Sequence, residues 1–196
     1  MYKKQLTFQK IVCFAMLAAA ALVFIYSLGI MTDLYDSLYS TMRNPDDYTE
    51  STVAGSSIYY EMQPFNSAFT KISIGLILVT LVLFLTNTHS RRKYYIGNYI
   101  AVALSSVCNI GVSIWSLSEI SAYKAQYLQI DFEALKAHSE LWKTYYTDST
   151  FWFDASYFVF GLLMLVTILL IVNLVLKVLM MKEEKRLIGT RKEMKA

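Results

Sequence analysis

The chain has 196 residues, of which 56% are hydrophobic and 15% aromatic, and its formal net charge is +3. Its mean hydropathy is +0.40, above a soluble domain with about 45–50% apolar residues. The excess falls into four long blocks, which excludes a simple soluble globule, and 7 glycines with 2 prolines exclude a collagen-like or low-complexity chain.

A bilayer core about 30 Å thick needs roughly 20 residues of apolar helix. Residues 1–10 read as a cytoplasmic N-terminus, and residues 11–32 as the first span. Lys3, Lys4 and Lys10 ahead of an apolar run resemble a signal peptide, and Ser27 with Gly29 offers a small-x-small cleavage pattern. The run continues at full length past Ala18–Ala21, so the segment is read as a retained helix.

Residues 33–71 form the first outer loop. Leu34, Leu38 and Met42 share a helical face, and Asn44-Pro45-Asp46-Asp47 should break it. Thr49–Ser57 is polar and small and reads as a mobile stretch. Pro64 and Asn66 mark a possible entry to the second span, residues 72–90. Residues 91–93 (Arg91, Arg92, Lys93) make a tight turn into the third span, residues 94–118.

That third span is the unusual one. Gly97, Ala101, Ser105, Asn109 and Ser113 recur every four residues, with Asn98, Ser106 and Cys108 close by. Small residues at this spacing let helix backbones approach, and Asn and Ser can hydrogen-bond across the contact. The stripe reads as either a packing face or a polar path. No span carries an interior charge, which weakens the path. Gly75, Gly161 and Asn173 are further candidates for close approach or interhelical bonding.

Residues 119–154 form the second outer loop. Asp131 should cap a helix from Phe132, in which Leu135, Ser139, Trp142 and Tyr145 follow helical spacing. Asp148 or Ser149 should cap the fourth span, residues 155–176, and residues 177–196 form a basic tail. Tyr59, Tyr60, Tyr123, Tyr127, Trp142, Tyr145, Tyr146 and Trp152 crowd the outer segments. They suit an interfacial aromatic belt and also an interaction surface for another protein.

Charge sets the orientation. The N-terminus, the tight turn and the tail hold 13 Lys and Arg against 3 Asp and Glu, whereas the two long loops hold 5 against 12. Basic short segments stay cytoplasmic, so Lys3, Lys4, Lys10, Arg91, Arg92, Lys93, Lys182, Lys185 and Arg186 act as topology determinants. The expected architecture is all-α: a four-helix transmembrane bundle, both termini inside, with two extracytoplasmic loops forming a small, partly helical aromatic cap.

The chemistry of an enzyme is missing from the sequence. His89 and His138 lie in aqueous segments, Cys13 and Cys108 lie in spans, and no phosphate loop, nucleophile elbow or metal motif is present. Asp46, Asp47 and Glu50 lack the spacing of a calcium loop. No cofactor, metal or nucleic-acid partner is expected. The leading expectation is a non-enzymatic accessory or structural subunit of a larger membrane complex, with the bilayer and a membrane protein or a second copy as partners. A bacterial plasma or inner membrane is the favoured setting. The alternatives are a small transporter or channel lined by the third span, and a sensor or immunity-type protein that binds through its outer loops.

Overall fold

The computed structural model describes residues 2–44, 47–89 and 94–193. Among these, helix α1 runs Tyr2–Gly29 and α2 Thr32–Leu38, followed by a single 3-10 turn, Tyr39–Thr41. A short antiparallel hairpin follows, β1 Met42–Asn44 and β2 Asp47–Ser51, with Met42 opposite Ser51 and Asn44 opposite Asp47. Then come α3 Ile58–Thr88, α4 Ile96–Tyr127, α5 Phe132–Trp142 and α6 Phe151–Glu193. Four helices are long and apolar enough to cross a membrane.

All four overrun the minimal spans. The 43 residues of α6 extend about 64 Å at 1.5 Å per residue, so the basic tail continues the helix of the fourth span. Helix α3 begins fourteen residues ahead of Ile72, and Pro64 sits inside it rather than at its start. Its first residues form a hydrogen-bonded turn, with Tyr60 N and Glu61 N both donating to the Ser57 carbonyl.

Two expectations for the outer segments change: the helical face expected through Met42 stops with α2 at Leu38, Met42 beginning β1, and the stretch from Thr49 is structured. Part of the polar stretch from Thr49 is strand β2, and the turn after it is anchored. Thr52 N donates to the Thr41 carbonyl, Val53 and Ser56 are buried, and Asp131 N donates to the Ala54 carbonyl. Gly55 adopts φ +82 beside Ile130, a conformation that side-chain-bearing residues rarely take. Pro45 and Asp46, part of the expected helix break, lie outside the described residues. Asp131 does cap α5, accepting from Ala134 N at 3.0 Å, and Lys143 closes that helix in the left-handed region.

Helices α3 and α4 bury a stripe of small and polar side chains while exposing large apolar ones. On α4, Ala101, Ser105, Asn109, Ser113 and Ser116 are buried, while Ile100, Leu104, Val107 and Ile114 are exposed. On α3, Ser73, Thr80 and Asn87 are buried and Leu78, Val82 and Leu85 exposed. A soluble helix shows the reverse. Lipid removes the penalty for exposed apolar surface and raises the cost of an exposed polar group.

The chain divides into two compact units, each drawing on all four long helices. One comprises Met1–Ala21, Gly75–Gly111 and Leu162–Ala196, and the other Leu22–Ile74 and Val112–Gly161. The second is held by aromatic packing. Tyr26 meets Phe69 at 6.0 Å and Phe160 at 6.2 Å edge to face, and Phe65 stacks on Phe69 at 5.7 Å.

Candidate functional site

The first unit contains a buried polar cluster contributed by α1, α3, α4 and α6. Gln9 and Gln5 lie one turn apart on the buried face of α1, which continues through Val12, Cys13 and Met16. The Gln5 amide donates to the Gln9 side-chain oxygen at 3.1 Å and to Asn173 Oδ1 at 3.0 Å. The Gln9 amide donates to the Asn87 carbonyl, and the Asn98 amide to the Thr86 carbonyl at 2.7 Å. Asn98 also accepts from Tyr95 N, which closes the first turn of α4. Lys177 Nζ lies 5.3 Å from the centre of the Tyr94 ring, a cation–π distance.

The amide bonds tie α1 to α3 and to α6, and α3 to α4. They leave buried polar atoms unused: Gln5 Oε1 and Asn87 Oδ1 have no hydrogen-bond partner. Each such group costs about 1–3 kcal/mol.

Further along α4, Asn109 is the hub of the stripe. Its amide donates to Thr167 Oγ1 at 2.9 Å and approaches Met16 Sδ at 3.0 Å, joining three helices. Thr167 passes its own proton to the Leu163 carbonyl. The hydroxyls of Ser105, Ser106 and Ser116 are buried without partners.

Of the stripe, Ala101, Ser105, Asn109 and Ser113 share the buried face. Gly97 departs from the expectation. It lies in the first turn of α4, is exposed, and a Cβ added there meets nothing within 4 Å. Gly75 and Gly161 are equally open. The close approach belongs to Gly29, where an added Cβ would overlap the Trp152 ring.

The outer aromatics also separate. Tyr127 is buried, with its hydroxyl on the Thr147 carbonyl and its ring against Phe132 and Phe153. Tyr59 is buried among Tyr35, Tyr39 and Tyr60. Tyr127 belongs to the core, and Tyr59 is packed among rings with only a small part of its surface open. Tyr60 and Trp152 are half-buried, and the Trp152 carbonyl accepts from Tyr26 OH at 2.8 Å. Tyr123 is half-buried against Phe65, and its hydroxyl reaches the Glu61 carbonyl. Tyr146 lies near Asp148; desolvation and that carboxylate raise its phenol above the ordinary value. Trp142 and Tyr145 are exposed, beside Leu141.

Lys3, Lys4, Lys10, Lys182, Lys185 and Arg186 are all exposed, whereas Arg91, Arg92 and Lys93 lie outside the described residues. Gln5 and Gln9 went unnoticed in the sequence because they precede the apolar run. Their four-residue spacing onto Cys13 and Met16 was the available signal. Among the described residues no group of three or more His, Cys, Asp or Glu side chains could hold a metal ion. Comparison with protein-family models, curated proteins and solved structures finds no match to this chain.

Proposed function

We propose that the chain is a non-enzymatic, four-span integral membrane protein that serves as an accessory subunit of a larger membrane complex. The observation that carries this reading is a set of exposed large apolar side chains on the second outer segment. Leu141, Trp142, Tyr145 and Leu128 are 76%, 67%, 57% and 56% exposed, although Tyr127, Ile130 and Leu135 from the same stretch are fully packed. They lie outside the expected spans, where lipid tails do not cover them. Trp and Tyr at such a place make strong interface anchors. The charge asymmetry supports a plasma or inner membrane with both termini on the cytoplasmic side.

The test is affinity purification of the tagged full chain from native membranes in mild detergent, with quantitative and native mass spectrometry. A stoichiometric larger partner is expected. The exposed double variant L141A/W142A should lose it at least tenfold while still inserting. A wild-type chain that purifies alone, or only with copies of itself, overturns the reading.

A transporter or channel is the second reading, supported by the unpartnered buried hydroxyls of Ser105 and Ser106, one turn from Asn109 on α4. Asn109→Leu separates the two. A path lined by α4 loses flux in proteoliposomes with the fold intact. A packing role shows instead as lower thermal stability, by about 0.6–1.7 kcal/mol for a lost interhelical hydrogen bond.

A further inference from the structure

The second unit has a cleft of about 480 Å³ lined by Leu28, Met31, Thr32, Tyr35, Tyr59, Gln63 and Asn66. It is an open groove where α1 ends, α2 begins and the early turns of α3 pass. Three features define what fits. First, the lining holds no Lys, Arg, His, Asp or Glu, so a charged group would enter without a counter-charge. Second, the lining carries two phenols, two carboxamides and a threonine hydroxyl, with Asn66 Oδ1 buried and lacking any donor within the protein. Third, the apolar side continues onto the helix surface. Leu28 and Ile25 lie one turn apart on α1 and are both exposed, a ridge suited to hydrocarbon.

We propose that this cleft takes a membrane lipid with an uncharged, hydroxyl-bearing head, of the diacylglycerol class. Its hydroxyl and ester groups bond to Gln63, Asn66 and Thr32, its glycerol carbons lie on Tyr35 and Tyr59, and its acyl chains follow Leu28 and Ile25. An anionic or zwitterionic head is disfavoured by its unpaired charge in a cleft of neutral groups. The inference rests on membrane insertion and is independent of the accessory-subunit reading.

The experiment uses the full chain in phosphatidylcholine nanodiscs doped with a diazirine-bearing diacylglycerol, irradiated and then mapped by peptide mass spectrometry. Labelling should concentrate on residues 25–35 and 59–66. Excess unlabelled diacylglycerol should reduce it at least fivefold, and the same excess of phosphatidylglycerol less than twofold. The exposed variants Thr32→Val and Gln63→Leu, combined, should lower it at least threefold without changing the melting temperature. Labelling spread evenly over all exposed helix faces, equal competition by both lipids, or indifference to the double variant would each overturn the proposal. A chain that fails to enter nanodiscs refutes membrane insertion itself, a result distinguishable from entry without site labelling.

Discussion

Gly29 shows how one side chain decides a packing contact that spacing alone does not reveal. The Trp152 ring occupies the place its Cβ would take, and Tyr26, one turn earlier on α1, contacts that ring while its hydroxyl donates to the Trp152 carbonyl. Gly29→Ala must move an indole within a packed aromatic cluster, a small-to-large change costing about 1–3 kcal/mol. Gly75→Ala and Gly161→Ala meet open space in helix interiors. They are expected to be neutral or to stabilise by up to about 1 kcal/mol. Thermal unfolding of the three variants in one detergent checks the contrast, and equal shifts would refute it. In the sequence these glycines look alike, because a close approach depends on which residue a distant segment places opposite. Asn109 was legible for the opposite reason: an amide amid four-residue small spacing already specifies an interhelical bond.

At the level of elements, α3 carries a proline in its interior. Pro64 has no N–H to give to the helix ladder, and its ring crowds the carbonyl one turn before it. At the next position the Tyr123 hydroxyl of α4 donates to the Glu61 carbonyl at 3.2 Å. The two helices are thus joined where the α3 ladder is weakest. Tyr123→Phe should cost about 0.5–1.5 kcal/mol, the net value of one hydrogen bond. In a Pro64→Ala background, where the ladder is complete, the cost should fall by at least half. Additive effects in this double-mutant cycle would show that the phenol acts independently of the proline. The sequence placed the helix start at the proline because isolated X-Pro steps favour helix boundaries. Burial of Met62, Phe65 and Phe69 on one face extends the helix across it. Tertiary packing overrides the local preference.

For the whole molecule, the four apolar blocks needed no coordinates, because hydropathy over twenty residues has few other meanings. The side of the membrane on which each segment lies is a separate matter, and the charge distribution makes a definite prediction. With Cys13 and Cys108 changed to alanine, single cysteines at Lys136 and Lys182 report opposite sides. Both positions are exposed on helices, α5 and α6 respectively, so burial does not mask either from a reagent. A membrane-impermeant maleimide applied to intact cells should modify the cysteine at 136 at once and the one at 182 only after lysis. Topology follows the basic residues of the short segments rather than net charge. Replacing Lys3, Lys4 and Lys10 by glutamine should therefore produce a fraction of chains with the reverse pattern, while replacing Glu133 and Glu140 should not. Maleimide reaction at 182 in intact wild-type cells would refute the inside assignment of the C-terminus, and with it the reading of the Leu141 and Trp142 face as an outer docking surface.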